Sequence, residues 1–110
     1  MRVGVRLLSG AICTALLGFV HPALADAIDG DWCRPDGMRM TIHGPAIVTP
    51  GGHQTMGDYT RHSFSYVIPP GEAGAGATVS IQLLSEYLAH ARQGADAPVQ
   101  EWRRCRPDVS

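Results

Sequence analysis

The chain has 110 residues, nine Lys and Arg against ten Asp and Glu, and a formal net charge of −1. A length of this order holds one small domain. A near-neutral balance with no basic block excludes nucleic acid and anionic membrane surfaces as partners.

The first residues read as an address. Arg2 and Arg6 form a positive start, Leu7 to Val20 is an uncharged apolar run of 14 residues, and Ala23-Leu24-Ala25 supplies a small-x-small cleavage pattern. This predicts a signal peptide over residues 1–25, cut between Ala25 and Asp26. The run is too short to span a bilayer, which takes about 20 residues. Gly10-Ala11-Ile12-Cys13 lacks the pattern of a lipoprotein anchor, so Cys13 leaves with the signal. The expected product is a single small exported domain, residues 26–110, periplasmic or secreted, with no further segment able to span a membrane. Its 85 residues hold seven Arg, no Lys, seven Asp and three Glu, a net charge of −3.

Two cysteines remain, Cys33 and Cys105. An even pair in an exported protein predicts a disulfide. It closes a loop of about 73 residues and is worth roughly 4 kcal/mol on the chain-entropy model. That is a large share of the ~5–15 kcal/mol of a small domain.

Met38 to His43 alternates strictly. Met38, Met40 and Ile42 share one face, and Arg39, Thr41 and His43 share the other. This predicts a half-buried strand, ended by Gly44-Pro45. Ala46 to Thr49 is a short β-prone run, and Pro50-Gly51-Gly52 is a turn. Asp58 to Pro69 reads as one long strand, with Thr60, His62, Phe64, Tyr66 and Ile68 on one side. Gly71 to Ala77 is rich in Gly and Ala and reads as a mobile connection. Over Val79 to Gln93 two patterns compete. Val79, Ile81 and Leu83 alternate as a strand, followed by a turn at Ser85-Glu86 and a second strand from Tyr87 to Arg92. The alternative is a helix over about 80–93, with Ile81, Leu84 and Leu88 on one face and Gly94 as its stop. The β-branched start at Thr78-Val79 favours the strands. Val99 to Arg104 is a last strand. The predicted fold is mainly β, a small antiparallel barrel or sandwich of about six strands with one disulfide. The helix gives an α+β alternative.

Gly30-Asp31-Trp32 resembles the Gly-x-Trp opening of lipocalin-like small β-barrels. The resemblance implies a meander whose terminal strand carries an Arg, here Arg103 or Arg104, over that Trp. Gly30 to Cys33, Thr49 to Gly52, Gly57 to His62 and Trp102 to Cys105 together resemble small uncharacterised exported proteins of Gram-negative bacteria. The mature chain is much shorter than a full lipocalin. That length puts a complete eight-stranded barrel around a ligand-sized cavity in doubt, and fold alone does not deliver function.

No Gly-x-Ser-x-Gly, His-Glu-x-x-His or phosphate-cradling loop is present. His62 and Ser63 fall on opposite faces of a strand and cannot pair as base and nucleophile. The expectation is a non-enzymatic binding or envelope-associated domain with no cofactor, for a small ligand or a protein partner. Tyr59, Arg61, His62 and Tyr66 are the candidate ligand-binding residues. The alternative is copper handling, since thioether and imidazole together suit Cu(I). Its candidates are Met38, Met40 and His43, but His43 falls on the opposite strand face from the two Met.

Overall fold

The computed structural model describes residues 27–106. The predicted signal peptide and its cut lie outside them. Nine strands follow one another: β1 Gly30–Cys33, β2 Arg39–His43, β3 Ala46–Val48, β4 Gln54–Met56, β5 Asp58–Thr60, β6 Ser63–Val67, β7 Thr78–Ser85, β8 Leu88–Gln93 and β9 Gln100–Arg104. All pairings are antiparallel, in one sheet ordered β4-β3-β2-β1-β9-β8-β7-β6-β5. The mainly-β prediction holds; the count of six strands does not.

The two edge strands, β4 and β5, are joined by a single residue, Gly57. They form one bent segment that pairs with β3 in its first half and with β6 in its second. The sheet therefore curls until its edges meet, giving a nearly closed barrel of eight staves with β4-Gly57-β5 counted as one. The bend needs glycine. A Cβ there would lie 2.2 Å from the Ser65 carbonyl oxygen and 2.6 Å from the ring of Phe64. The Gly57 N–H donates to the Pro45 carbonyl at 2.8 Å, which carries the β3–β4 register one pair further. Close approach of backbone at a barrel corner is what an isolated strand glycine permits.

One expectation is corrected and one alternative is resolved. The long strand over Asp58 to Pro69 is a hairpin, β5 and β6, turning at Arg61-His62. The Thr60 and Ser63 hydroxyls lie 2.7 Å apart across the turn, and the Thr60 hydroxyl accepts from the His62 N–H at 3.2 Å. Such local side-chain bonds compete with strand continuation. In consequence Tyr59 pairs with Phe64 and packs on the core, while Thr60 and His62 are exposed. Over Val79 to Gln93 the favoured reading of two strands holds and the helical alternative over 80–93 does not: β7 and β8 form there, with the turn at Glu86-Tyr87, one residue later than expected. Ile81 is buried and Leu83 packs against the core, but Leu84 is 51% exposed. A helical face of Ile81, Leu84 and Leu88 would have left Leu83 outside.

The interior is filled from around the barrel wall. Ile28, Trp32, Met40, Ile42, Ile47, Phe64, Tyr66, Ile68, Ile81, Ala89, Ala91 and Trp102 form one buried cluster. Bulk and small size are matched across strands, since Ala89 lies opposite Trp102 in register. Small barrels fit their taper in this way.

Residues 27–28, just ahead of β1, seal one end of the barrel. Ile28 is fully buried, its N–H donates to the Arg61 carbonyl at 2.7 Å, and its carbonyl accepts the Trp32 indole N–H at 2.8 Å. Of the two candidate arginines, Arg104 is the one over Trp32, its guanidinium carbon 4.2 Å from the ring centroid. That guanidinium also donates to the carbonyls of Ala27, Asp29 and Glu86. Gly30, at φ 121°, leaves it room, because a Cβ there would sit 2.7 Å from Nη1. Cys33 and Cys105 are bonded, with Cα atoms 5.0 Å apart, and fasten β1 to the end of β9. No helix among the described residues is long and apolar enough to cross a membrane.

Candidate functional site

In a meander, successive connections alternate between the two ends of the barrel. Residues 44–45, 61–62 and 86–87 join strands at the sealed end. Residues 34–38, 49–53, 68–77 and 94–99 join them at the other. At this second end a cavity of about 340 Å³ opens into the barrel. Met38, Met40, Ile68, Val79 and Ala91 give it apolar walls, and Tyr66, Trp102, Glu72 and Arg34 bring polar groups to it.

Tyr66 arrives there by strand alternation. It follows Phe64 on the inner face of β6 and precedes the buried Ile68 just past the strand's end, and its ring is tilted against that of Phe64 with centroids 6.3 Å apart. Its hydroxyl has no hydrogen-bond partner among the described residues. Burial, together with the negative charge of Glu72, pushes its pKa up to about 12, so the hydroxyl keeps its proton at neutral pH. Trp102, on the inner face of β9, is 2% exposed. Its indole N–H is buried without a partner among the described residues. The Arg34 guanidinium lies 5.5 Å from the Trp102 ring centroid and is paired with Asp36 at 3.3 Å.

Glu72 crosses the mouth from the connection between β6 and β7. The Gly- and Ala-rich composition suggests mobility there, yet the segment is a succession of turns closed by its own backbone bonds. The Ile68 N–H donates to Ala77, Gly76 donates to Ile68, and Ala75 donates to Glu72. The Glu72 side chain, 10% exposed, accepts from the Thr49 hydroxyl and lies 2.6 Å from His53 Nδ1. Burial raises its pKa, but the bonds from Thr49 and His53 outweigh this and hold the carboxyl below the ordinary value. Thr49 is itself buried, and its hydroxyl accepts from the His53 N–H at 3.2 Å. His53 and Glu72 resemble a base and its orienting carboxylate. However, among the described residues neither His53 nor any Ser, Thr or Cys borders the cavity.

The four residues singled out from the sequence are divided between the two ends. Tyr66 borders the cavity. Tyr59, Arg61 and His62 belong to the sealed end. The Tyr59 hydroxyl donates to Asp29, and this bond, with burial and the Asp29 charge, raises the tyrosine's pKa. On Asp29, burial acts upward, but the bonds from Tyr59 and the Gly44 N–H leave the carboxyl lowered. Arg61 and His62 form the exposed turn between β5 and β6. Of the metal candidates, Met38 and Met40 border the cavity, whereas His43 is exposed on the outer face of β2. No group of three His, Cys, Asp or Glu suited to a metal ion occurs among the described residues.

Glu72, Trp102 and Thr49 escape a reading of the sequence as site residues. Glu72 has one signal: it is the sole charged residue in the run from Pro69 to Thr78. The chain matches no protein-family model, no curated protein and no solved structure.

Proposed function

We propose that this chain is an exported, non-enzymatic binding protein, processed after Ala25, that holds a small and largely apolar molecule in the open-end cavity. The cavity carries the reading. Its volume of about 340 Å³ falls in the ~300–1,000 Å³ range of small-molecule sites, which pair apolar walls with few polar groups. One end is sealed by Ile28 and Arg104, so a ligand has one way in. A cavity bordered by Met, Ile, Val and Ala favours binding over turnover. Export is supported by the pattern of residues 1–25 and suits a disulfide-bonded domain.

The test uses protein purified from an exporting host, with a mass expected to begin at Asp26. N-phenyl-1-naphthylamine, a neutral apolar fluorophore, is titrated in. Its emission is expected to rise and shift to the blue with saturation at one site. Ala91→Leu and Val79→Phe each project new carbons into the cavity and are expected to weaken binding at least tenfold. Both variants are checked for a retained urea midpoint. No saturable binding, or binding untouched by both substitutions, would overturn the proposal.

A further inference from the structure

We infer that the ligand is uncharged and carries a carbonyl acceptor on an apolar body, with the Tyr66 hydroxyl and the Trp102 indole N–H as the groups that receive it. The inference rests on the binding reading above and names the chemistry that the cavity selects.

Donors and acceptors around the cavity do not balance. A buried donor without a partner costs about 1–3 kcal/mol, and native structures leave few of them. Here the Trp102 indole N–H is such a group, and the Tyr66 side chain brings a second donor to the same cavity. The indole of Trp102 can only donate, and its N–H is buried and unpaired among the described residues. The Tyr66 hydroxyl is likewise unpaired among them, and burial together with the charge of Glu72 keeps it protonated. The carboxylate at the cavity, Glu72, is already engaged by Thr49 and His53. Gln93 and Gln100, exposed where they border the cavity, offer acceptors as well as donors and are satisfied by solvent. The free capacity of the buried wall is that of donors, and the group that completes it is an acceptor.

Charge decides what kind of acceptor. A carboxylate or phosphate ligand would be brought beside Glu72, whose negative charge already reaches Tyr66. Arg34 is the bordering cation among the described residues, and it is engaged by Asp36 and by the face of Trp102. An ammonium ligand brings only donors and would leave the indole N–H unpaired. A ketone, ester or amide oxygen satisfies both groups without carrying charge into an apolar cavity, where an unpaired charge is costly. Met38 and Met40 on the wall suit a flexible apolar body, since Met side chains adapt to irregular shapes.

The two tryptophans of the chain make the test internal. Trp32 donates to the Ile28 carbonyl at the sealed end, away from the cavity, so its indole resonance serves as a control. The probes are 2-nonanone, nonanoate and nonylamine, which share a chain length and differ in charge. Addition of 2-nonanone is expected to move the Trp102 indole proton downfield and to leave that of Trp32 in place. Nonanoate and nonylamine are expected to bind at least tenfold more weakly. Tyr66→Phe and Trp102→Phe keep an aromatic ring and remove one donor each. Each is expected to weaken 2-nonanone binding by roughly 3- to 10-fold, the worth of one net hydrogen bond. If either charged probe binds as well as 2-nonanone, or if both Phe variants bind it as the wild type does, the carbonyl inference is overturned and the cavity reading stands. The carbonyl inference also falls if the naphthylamine binds and none of the three nine-carbon probes does. If no probe of any kind binds, both readings fall.

Discussion

Glu72 accepts hydrogen bonds from Thr49 and His53 and so ties the connection after β6 to the connection after β3, across the mouth of the cavity. Because its folded pKa lies below its unfolded value of about 4.5, it contributes stability that is fully present above that pH. The contribution is lost as pH falls through the lower, folded value. Asp29 behaves in the same sense at the sealed end. In urea unfolding at several pH values, Glu72→Gln is expected to be less stable than wild type at pH 7. The gap should close as pH is lowered below about 4.5 and the wild-type carboxyl takes up its proton. A gap that stays constant from pH 7 to pH 3 would show that Glu72 acts through shape and not through charge. At this scale the sequence is partly legible. Tyr66 can be named because it sits in an alternating strand with Phe64 and Ile68. Glu72 cannot, because its partners come from 19 and 23 residues away and nothing local marks them.

Among the elements, the segment β4-Gly57-β5 is the one that turns a sheet into a barrel. The Ser65 carbonyl and the Phe64 ring occupy the space a Cβ would need at Gly57. One of these is backbone and the other is a buried ring, so neither yields cheaply. Gly57→Ala is expected to destabilise by about 1–3 kcal/mol, the usual range for overpacking, read as a lower urea midpoint. A loss under about 0.5 kcal/mol, ordinary for a surface substitution, would mean that the corner can relax. The hairpin β5–β6 shows where strand reading stops. The alternation of Phe64, Tyr66 and Ile68 is a true inner face. Its extension back through His62 and Thr60 is not, because the two-residue turn shifts the inward set from even to odd positions, so that Tyr59, and not Thr60, shares the inner face with Phe64. Thr60 and Ser63, which bridge that turn, are its local mark. For β7 and β8, Ile81 serves a helix and a strand equally. Partner strands on both sides, β6 and β9, decide between them.

For the molecule as a whole, closure depends on its two ends. β1 and β9 pair over only two residue pairs, Trp32 with Arg104 and Cys33 with Arg103. The Cys33–Cys105 bond and the Arg104 guanidinium supplement that short pairing. Replacing both cysteines by Ser is expected to lower stability by roughly 4 kcal/mol, read in urea against the oxidised wild type. A loss below about 1 kcal/mol would place the hold on closure in Arg104 and Trp32 alone. The sequence by itself determined the inner faces of the strands at Met40, Ile42, Phe64, Tyr66 and Ile68. It also determined the breaks at Gly44-Pro45 and Pro50-Gly51-Gly52. The disulfide was determined too, because two cysteines in the expected mature chain allow one pair. These are local or arithmetical properties, and a period of two residues is enough to read them. The tertiary structure alone decided that the sheet closes, that Ile28 and Arg104 seal one end, and that Tyr66, Trp102 and Glu72 meet at the other. Alternation states which side of a strand faces inward. It does not state which inward residues share an end, because that depends on register and curvature set by strands distant in the chain.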